Sequence, residues 1–519
     1  MLFSFTLTFD QVCQLDQDTS IALATVREWR NSFIHINRVP LEILSLVPTH
    51  LSFQDDRFLA SFVCRHWRRA FLRHAALWSQ LYLSVGEVYV KTLLERVKGS
   101  ALDIFASSMD DVNTIRLLLP HTEQIKSLNL ADSRWRDIQR LSELNSGPLP
   151  LLSILRINTV MMNSTEAMIP SSPPLFNNAV NLQEFSLHSQ TWLRLNHFVF
   201  PNLTFFELSA PAGTLQALQL LDFLDSSPML QTVGVHIFGV VFDGVPQERV
   251  TILHDVKSFC LVVGRGEAGY KLAAHISCPS AKHTLLRHEH QEETDGAVSQ
   301  EIFPASVSWN AIIRQYTRSP VEEAALEMVS SWTTVECSLT FRSPDASIRL
   351  HFKHIAEDDD HFEALKEMDF EVFSQASRTI QDLTLLTNIK RLHVSNGLSA
   401  TARITDIAGP LFESVGPLEE LILHHCDMQA YLGPFLDDWG IRDLGKLVEF
   451  PPIKELTISH PLHPLKFEAA VVGLVESQHA LGIPFERVTI RMDCLPAEMA
   501  EKLRPWVGTV HCYNEVEPI

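Results

Sequence analysis

A six-residue pattern, apolar-x-x-apolar-x-apolar, recurs from residue 125 onward and constrains the fold more than any other feature of this sequence. The alternation of its last three positions predicts one half-buried strand for each copy. Copies start 21 to 30 residues apart in a first block and 29 to 35 residues apart in a second block. This period predicts a repetitive fold in which each unit packs against its neighbours. The ten copies occupy residues 125–130, 152–157, 182–187, 203–208, 230–235, 256–261, 389–394, 418–423, 453–458 and 485–490.

Helical patterns separate several of the predicted strands. Residues 215–224 and 467–475 carry apolar side chains at helical spacing, and residues 87–98 followed by 101–106 have the order helix, then strand. Proline precedes six of the ten copies by one or two residues, where it ends a helix and favours extended backbone. Repeated helix–strand units predict an α/β fold with a curved parallel sheet and helices on its convex side.

The repeats resemble leucine-rich repeats, although loosely. That family carries Asn or Cys three residues after the last apolar position, and here only Cys426 fits. We therefore expect residues 84–519 to form an irregular leucine-rich-repeat solenoid. The pattern is weak over residues 262–380, where we expect about five degenerate repeats at the same period. Inserted loops are predicted around 280–300 and 355–362, and a strand over 346–352.

A segment near the N-terminus carries more large apolar side chains than a small helical unit can bury. Residues 10–34 have helical periodicity, which predicts a helix within an N-terminal extension of residues 1–35. The surplus of apolar side chains in residues 36–83 indicates a surface for a partner protein. The motifs are Val39-Pro40-Leu41-Glu42-Ile43-Leu44, then Val63-Cys64-Arg65-His66-Trp67-Arg68, then Leu77-Trp78.

These motifs resemble the F-box, in the variety abundant in mushroom-forming (basidiomycete) fungi, here joined to irregular leucine-rich repeats. The resemblance implies a helical module at residues 36–83 that binds a Skp-type adaptor and, through it, a cullin–RING ubiquitin ligase. It assigns the adaptor contacts, made directly or supported, to Pro40, Ile43, Leu44, Val47, Leu51, Val63, Trp67 and Trp78. Because proline is costly inside a helix, Pro48 predicts that the first helix ends early or kinks. The alternative is a helical cap that binds no adaptor.

The charge balance restricts the partners. Acidic side chains number 62 and basic ones 42, which gives a formal net charge of −20. Because nucleic acids and anionic membranes bind positive surfaces, we expect neither as a partner. The basic run Arg65, Arg68, Arg69 and Arg73 is either a contact for an acidic partner or a solvated helix face. The eight cysteines are scattered without a Cys-x-x-Cys pair, which indicates a reducing cytoplasmic or nuclear location.

The sequence contains no pattern that predicts an enzyme, a cofactor or a metal site. Gly264, Gly266 and Gly269 have dinucleotide-binding spacing, but the segment after them is short and ends at Pro279, which predicts a repeat loop. The histidines within 351–361 and 424–426 lack the ligand spacing of a zinc site. We therefore expect a non-catalytic protein without cofactors or metals.

The hexapeptide positions that do not face the core predict the exposed row of the sheet. Their charges are mixed and their sizes modest, without a basic stripe, which suits a protein target better than a nucleic acid. The candidate target contacts are Asn129, Arg156, Ser186, Glu207, His393, Ile422, Thr457 and Thr489. The leading hypothesis is a substrate-recognition subunit of a Skp–cullin–F-box ubiquitin ligase. The alternative is a leucine-rich-repeat scaffold with no ligase association.

Overall fold

A computed structural model of the chain gives the helices and strands over most of its length. The residues that it describes are 8–50, 54–107, 114, 116–133, 147–159, 176, 178–189, 195, 198–264, 268–291, 309–317, 319–330, 334–355, 383–397, 412, 414–425, 451–459, 461, 464–492 and 498–514. Leu51 and Cys426 lie outside these residues.

The helices cluster in the N-terminal part of the chain and recur between strands further on. No helix within the described ranges is long and apolar enough to span a membrane. Those with defined bounds are α1 (Phe9–Ser32), α2 (Leu41–Leu44), α3 (Gln54–Ser61), α4 (Arg65–Arg73), α5 (Glu87–Val97), α6 (Ala217–Asp225), α7 (Ala268–Ala274), α8 (Trp309–Tyr316), α9 (Pro464–Ala480) and α10 (Met499–Leu503).

The strands are mostly short and mostly parallel. They are β1 (Gln80–Tyr82), β2 (Leu102–Ser107), β3 (Ile125–Ser133), β4 (Ile154–Thr159), β5 (Glu184–Ser189), β6 (Phe205–Gln216), β7 (Thr232–Val241), β8 (Thr251–Ile252), β9 (Ser258–Val263), β10 (Ile276–Ser277), β11 (His283–Gln291), β12 (Glu323–Ser330), β13 (Thr334–Arg342), β14 (Ser347–Ile355), β15 (Arg391–Gly397), β16 (Leu418–His424), β17 (Ile453–Ser459), β18 (Arg487–Met492) and β19 (Thr509–Asn514).

All ten copies of the hexapeptide form strands, as the alternation predicted. Each strand begins at the first residue of its copy or two residues later. The three apolar positions are buried in every copy; in the copy at 182–187, for example, Leu182, Phe185 and Leu187 are completely buried. The helices predicted over 87–98, 215–224 and 467–475 are confirmed in α5, α6 and α9, with β6 taking the first two residues of the second.

The chain divides into two compact units. The first comprises Met1–Arg156 and Asn178–Asn181, and the second comprises Ile157–Asn177 and Leu182–Ile519. In the first unit, β2 pairs in parallel with β1 and with β3. The predicted boundary between residues 83 and 84 falls inside this unit, and the domain limits stay a prediction.

In the second unit, parallel strands pair in chain order on both sides of an inserted group. β5, β6, β7, β9 and β11 pair in that order. β15, β16, β17, β18 and β19 also pair in that order. β8 and β10 form a separate parallel pair. The mixed α/β architecture with a large, mostly parallel sheet agrees with the predicted class.

The inserted group contradicts the prediction of a wholly parallel sheet with degenerate repeats in this region. β14 pairs with β11, and β12 pairs with β15, both in parallel. β13 lies between β12 and β14 and is antiparallel to both. The reason is the length of the connections: three residues separate β12 from β13 and four separate β13 from β14. Parallel neighbours need a crossover of a dozen or more residues, so these strands can only form hairpins.

The loop predicted around residues 280–300 is wrong for residues 283–291, which form β11. This strand pairs with β9 on one side and β14 on the other, and backbone pairing on both sides outweighs its polar composition. The strand predicted over 346–352 is confirmed by β14. Residues 292–300 and 356–362, the rest of the two predicted loops, lie outside the described residues.

A buried carboxylate joins the inserted group to β15. The Glu323 side chain on β12 is 9% exposed and contacts the guanidinium groups of Arg342 on β13 and Arg391 on β15. His393 Nε2 on β15 lies 3.6 Å from Glu323 Oε1. Two cations on one buried carboxylate compensate the loss of its hydration. The cluster therefore fixes three strands at one point of the sheet.

We expect Glu323→Gln to destabilise the second unit by about 2 kcal/mol, because two half-exposed guanidinium groups lose the buried carboxylate that they share. The measurement is urea unfolding of the full chain, followed by fluorescence. Glu455→Gln is the matched control, since Glu455 pairs with Arg487 at 3.1 Å in a more exposed position, and a loss below about 1 kcal/mol is expected. Equal losses for the two variants would contradict this role of Glu323.

Candidate functional site

Pro48 ends the first helix of the N-terminal helical region early. α2 covers only Leu41–Leu44, and a 3-10 helix that contains Pro48 follows at Val47–His50. Of the two outcomes that the sequence allowed, an early end and a kink, the structure has the early end. Pro40 is the N-cap of α2 and is exposed, where its missing N–H costs nothing.

Two of the predicted adaptor-binding residues lie in the interior. Leu44 is 0% exposed and Trp78 is 3% exposed. Trp78 Nε1 donates to the carbonyl oxygen of Phe71 at 3.0 Å, which ties the end of the region to α4. Trp67 is half-buried, and its Nε1 donates to Asn37 Oδ1 at 2.8 Å. Trp67 and Trp78 hold the helices together. They are therefore better placed to support a partner-binding surface from within than to contact a partner directly.

Other predicted residues lie on the surface. Ile43 is 54% exposed and Val63 is 58% exposed, whereas Val47 is half-buried. The motif did not single out Leu46 and Phe62, which are equally exposed large apolar residues on the same region. Sequence reasoning could have found them from the surplus of large apolar side chains in this segment, because a small helical unit cannot bury all of them. Leu51 cannot be placed, since it lies outside the described residues.

The basic run on α4 divides between two surroundings. Arg65 and Arg69 face α1, where their guanidinium nitrogens lie 3.0 and 3.9 Å from the carboxylate of Glu28. Arg68 lies on another side, with its guanidinium 5.8 Å from the ring centroid of Phe62. Arg68 also lines a groove of about 1050 Å³ between α3, α4 and α5. Arg65 and Arg69 therefore pair within the chain, an arrangement that neither reading of the sequence included, and a contact with an acidic partner stays a prediction.

That groove combines an apolar floor with a mixed rim. Arg68, Arg96 and Glu87 supply charge at its edge. The Arg96 guanidinium lies 5.1 Å from the ring centroid of Trp78. The apolar lining consists of Leu59, Phe62, Leu72, Val88 and Leu93. Such a lining can accept apolar side chains of a partner.

The strand register brings six of the eight predicted target contacts into one line, which we call the central row. Ser186 lies beside Glu207 at one end, and Ile422, Thr457 and Thr489 lie side by side near the other. His393 lies beside Ile422. The complete row is Ser186, Glu207, Gly234, Cys260, Leu285, Arg349, Thr340, Ala325, His393, Ile422, Thr457, Thr489 and His511.

The two remaining target candidates belong to the first unit. Asn129 on β3 is half-buried and lies beside Phe105, which lies beside Tyr82. The rings of Tyr82 and Phe105 stack with centroids 4.8 Å apart. Arg156 on β4 is exposed. Within the central row, Ser186 is buried, while the other five predicted contacts are half-buried.

The sequence missed the residues that the inserted group adds to this face. Arg349, Thr340 and Ala325 were not predicted because none of the ten copies falls in β12–β14. A second row beside the central one carries only charged side chains of both signs across six strands. It runs Arg342, Glu323, Arg391, Glu420, Glu455 and Arg487. The period-2 alternation of each strand was the signal that could have found these residues.

Burial sets the ionisation of two groups in the central row. It lowers the pKa of His393, against the opposing effect of the carboxylates of Glu323 and Glu420. It raises the pKa of the Cys260 thiol, which makes that thiol a poor nucleophile. Within the described ranges, no cluster of three or more His, Cys, Asp or Glu residues could hold a metal ion. The face therefore offers hydrogen bonds, charges and shape to a partner.

Comparison with protein-family models finds a match over residues 36–84, less than a tenth of the chain. This segment is an F-box-like domain. The match agrees with the predicted module at 36–83 and implies binding to a Skp-type adaptor. A search of curated proteins found no relative that matches the chain. The F-box-like domain therefore contains α2, α3, α4 and β1, together with the exposed Ile43 and Val63.

Acidification is expected to destabilise the second unit through His393. Because burial lowers the pKa of this side chain below its ordinary 6.5, the unfolded chain binds the proton at a higher pH than the folded chain. Its stabilising contribution is complete above 6.5 and is lost as the pH falls towards the folded pKa. From about pH 7.5 to about pH 5.5, the wild-type melting temperature should fall further than that of His393→Gln. His511→Gln, at an exposed position of the same row, is the control and should behave as wild type.

Proposed function

We propose that this chain is the substrate-recognition subunit of a Skp–cullin–F-box ubiquitin ligase in the cytoplasm or nucleus. The observation that carries the proposal is the F-box-like domain at residues 36–84, followed in the same chain by a large sheet with a continuous central row of mixed composition. The domain would bind the adaptor, and the sheet would bind a target protein. Neither role requires a catalytic residue, because the ligase acts by holding a target lysine near a charged ubiquitin carrier.

The adaptor contact is best assigned to the exposed apolar side chains of the domain. Ile43 and Val63 are large, apolar and more than half exposed, and a protein partner is the usual cover for large apolar side chains left exposed on a small domain. Leu44 and Trp78 would act by fixing the helices that present them. A protein partner that covers Ile43 and Val63 removes this apolar surface from water.

We infer that the second unit is an irregular leucine-rich-repeat solenoid with a target-binding face. Support comes from the recurring strands with identical buried positions, and from the helices between some of them. The central row would be the target contact, because it is continuous and combines charged, polar and apolar side chains. This composition suits the surface of a protein.

Adaptor binding should be lost in the double variant Ile43→Glu with Val63→Glu. Two charges placed in an apolar contact are expected to weaken binding by more than about a hundredfold. Co-purification of the full chain with a Skp-type adaptor, followed by titration calorimetry, measures the effect. Val250→Glu is the control, since this valine is comparably exposed but lies outside the F-box-like domain. Failure of the wild type to bind, or equal binding by the double variant, would refute the proposal.

Target binding should depend on the central row. In cells with the proteasome inhibited, affinity purification of Ile422→Arg with Thr457→Arg should recover the adaptor but lose proteins that the wild type retains. The reason is the bulk and charge placed on two adjacent strands of the row. Ala480→Arg, at the exposed end of α9, is the matched control and should keep the wild-type set. An unchanged set for the double variant would contradict a target role for the row.

The second candidate function is a leucine-rich-repeat scaffold without ligase association. The observation that favours it is the short α2, which ends before Pro48 after four residues. Under this proposal, the helices of residues 36–84 only complete the first unit. The adaptor titration separates the two functions, because the wild-type chain binds no adaptor if it is only a scaffold. In that case the variants Ile43→Glu and Val63→Glu should also keep the fold.

A further inference from the structure

α1 is a long helix that lacks a packed face. It spans 24 residues, begins with a capping box formed by Thr8 and Gln11, and none of its residues is buried. Helices in proteins are stabilised mainly by packing an apolar face against other elements. α1 therefore needs a surface against which to pack.

The F-box-like domain touches α1 on one side and near its C-terminal end. Glu28 pairs with Arg65 and Arg69, and the carbonyl oxygen of Asn31 accepts a hydrogen bond of 2.8 Å from Asn37 Nδ2. A cavity of about 330 Å³ lies between the two, lined on α1 by Ala24, Arg27, Glu28, Asn31 and Ser32. Most of these residues share one face of the helix, because they are three, four or seven positions apart.

The opposite face of α1 carries an apolar seam with a seven-residue period. Its positions repeat at alternating intervals of three and four residues, the spacing of a coiled-coil contact. They are Val12, Leu15, Thr19, Ala22, Val26, Trp29 and Phe33. The five large members are exposed by 49% (Val12), 59% (Leu15), 59% (Val26), 67% (Trp29) and 56% (Phe33). The contacts with the F-box-like domain therefore leave the seam open to solvent.

Charge is distributed unevenly along the same helix. Asp10, Asp16 and Asp18 lie in its N-terminal half. Arg27 and Arg30 lie in its C-terminal half, where Arg65 and Arg69 of α4 add positive charge around Glu28. Two such helices repel each other when parallel, since like halves meet. They attract each other when antiparallel, since each acidic half then meets a basic half.

We propose that α1 pairs with α1 of a second copy of this chain as an antiparallel two-helix contact. In this register, Val12 lies opposite Trp29 of the second copy, Leu15 opposite Val26, and Thr19 opposite Ala22. In these three pairs large side chains meet large ones, small side chains meet at the centre, and Phe33 lies opposite Thr8 at the end of the contact. The contact is self-complementary about a two-fold axis, as closed dimers require.

The seam is large enough for such a contact. An aromatic side chain buries about 150–250 Å², so the half-exposed Trp29 and Phe33 of two copies contribute roughly 400 Å². Val12, Leu15 and Val26 of both copies add six aliphatic side chains. Together these approach the roughly 1,000 Å² that a specific interface needs.

The oligomeric state of the full chain tests the proposal. Sedimentation equilibrium should give a dimer for the wild type and a monomer for Leu15→Glu with Val26→Glu, whose dissociation constant should rise by about a hundredfold or more. Ile21→Glu is the control, because Ile21 is 55% exposed but lies off the seam, and it should remain a dimer. Circular dichroism checks that every variant is folded. A wild-type monomer at all accessible concentrations overturns the proposal and leaves α1 to a different partner; loss of the dimer in Ile21→Glu alone also overturns it.

The orientation has its own test. In an antiparallel pair, Asp16→Asn with Asp18→Asn removes the attraction between the acidic half of one helix and the basic half of the other. In a parallel pair, the same variant removes the repulsion between two acidic halves. The proposal expects this variant to dissociate more readily, and expects added salt to weaken the wild-type dimer. A tighter dimer in this variant overturns the antiparallel arrangement.

Discussion

Burial of three apolar side chains in each strand, in one shared register, is the interaction on which the second unit depends. Successive side chains of a strand point to opposite faces, so the positions between the buried ones must face the other way. Parallel pairing then places those positions side by side, as with Ile422, Thr457 and Thr489. A slip of one residue would exchange core and surface. The central row is therefore a consequence of the core, and its continuity needs no further interaction.

The antiparallel strand β13 follows the same rule, which explains why the insertion does not interrupt the face. Cys337, Leu339 and Phe341 are buried, while Thr340 takes its place in the central row. The pleat has a period of two in either chain direction, so reversing a strand preserves its two faces. The antiparallel direction of β13 instead follows from the short connections at its two ends, which allow only hairpins. The ion cluster around Glu323 supplements this pairing at the junction with β15.

Sequence reasoning succeeded where one local pattern determines one local structure. Each hexapeptide predicted its strand, and the motif at residues 36–83 predicted the F-box-like domain. It failed at β11, whose polar residues are held by strands on both sides, a contact that no local window contains. It also could not separate Ile43 from Leu44, because the motif fixes the order of apolar residues but not which of them the helices enclose. The order of β12–β14 depends on pairing between strands far apart in the chain, which periodicity does not encode.

The place at which α1 is attached to the F-box-like domain determines how far apart two such domains lie when two copies of α1 pair. Asn37 accepts a hydrogen bond from Trp67 and donates one to Asn31, so the domain holds α1 near residues 28–31. In the proposed antiparallel register, position 28 lies opposite position 13 of the second copy. At 1.5 Å per residue, the two attachment points are then separated by about 22 Å along the axis. In a parallel pair they would lie side by side, with Arg65 and Arg69 of both copies close together. The antiparallel contact thus separates the points at which the two F-box-like domains attach to the helix pair.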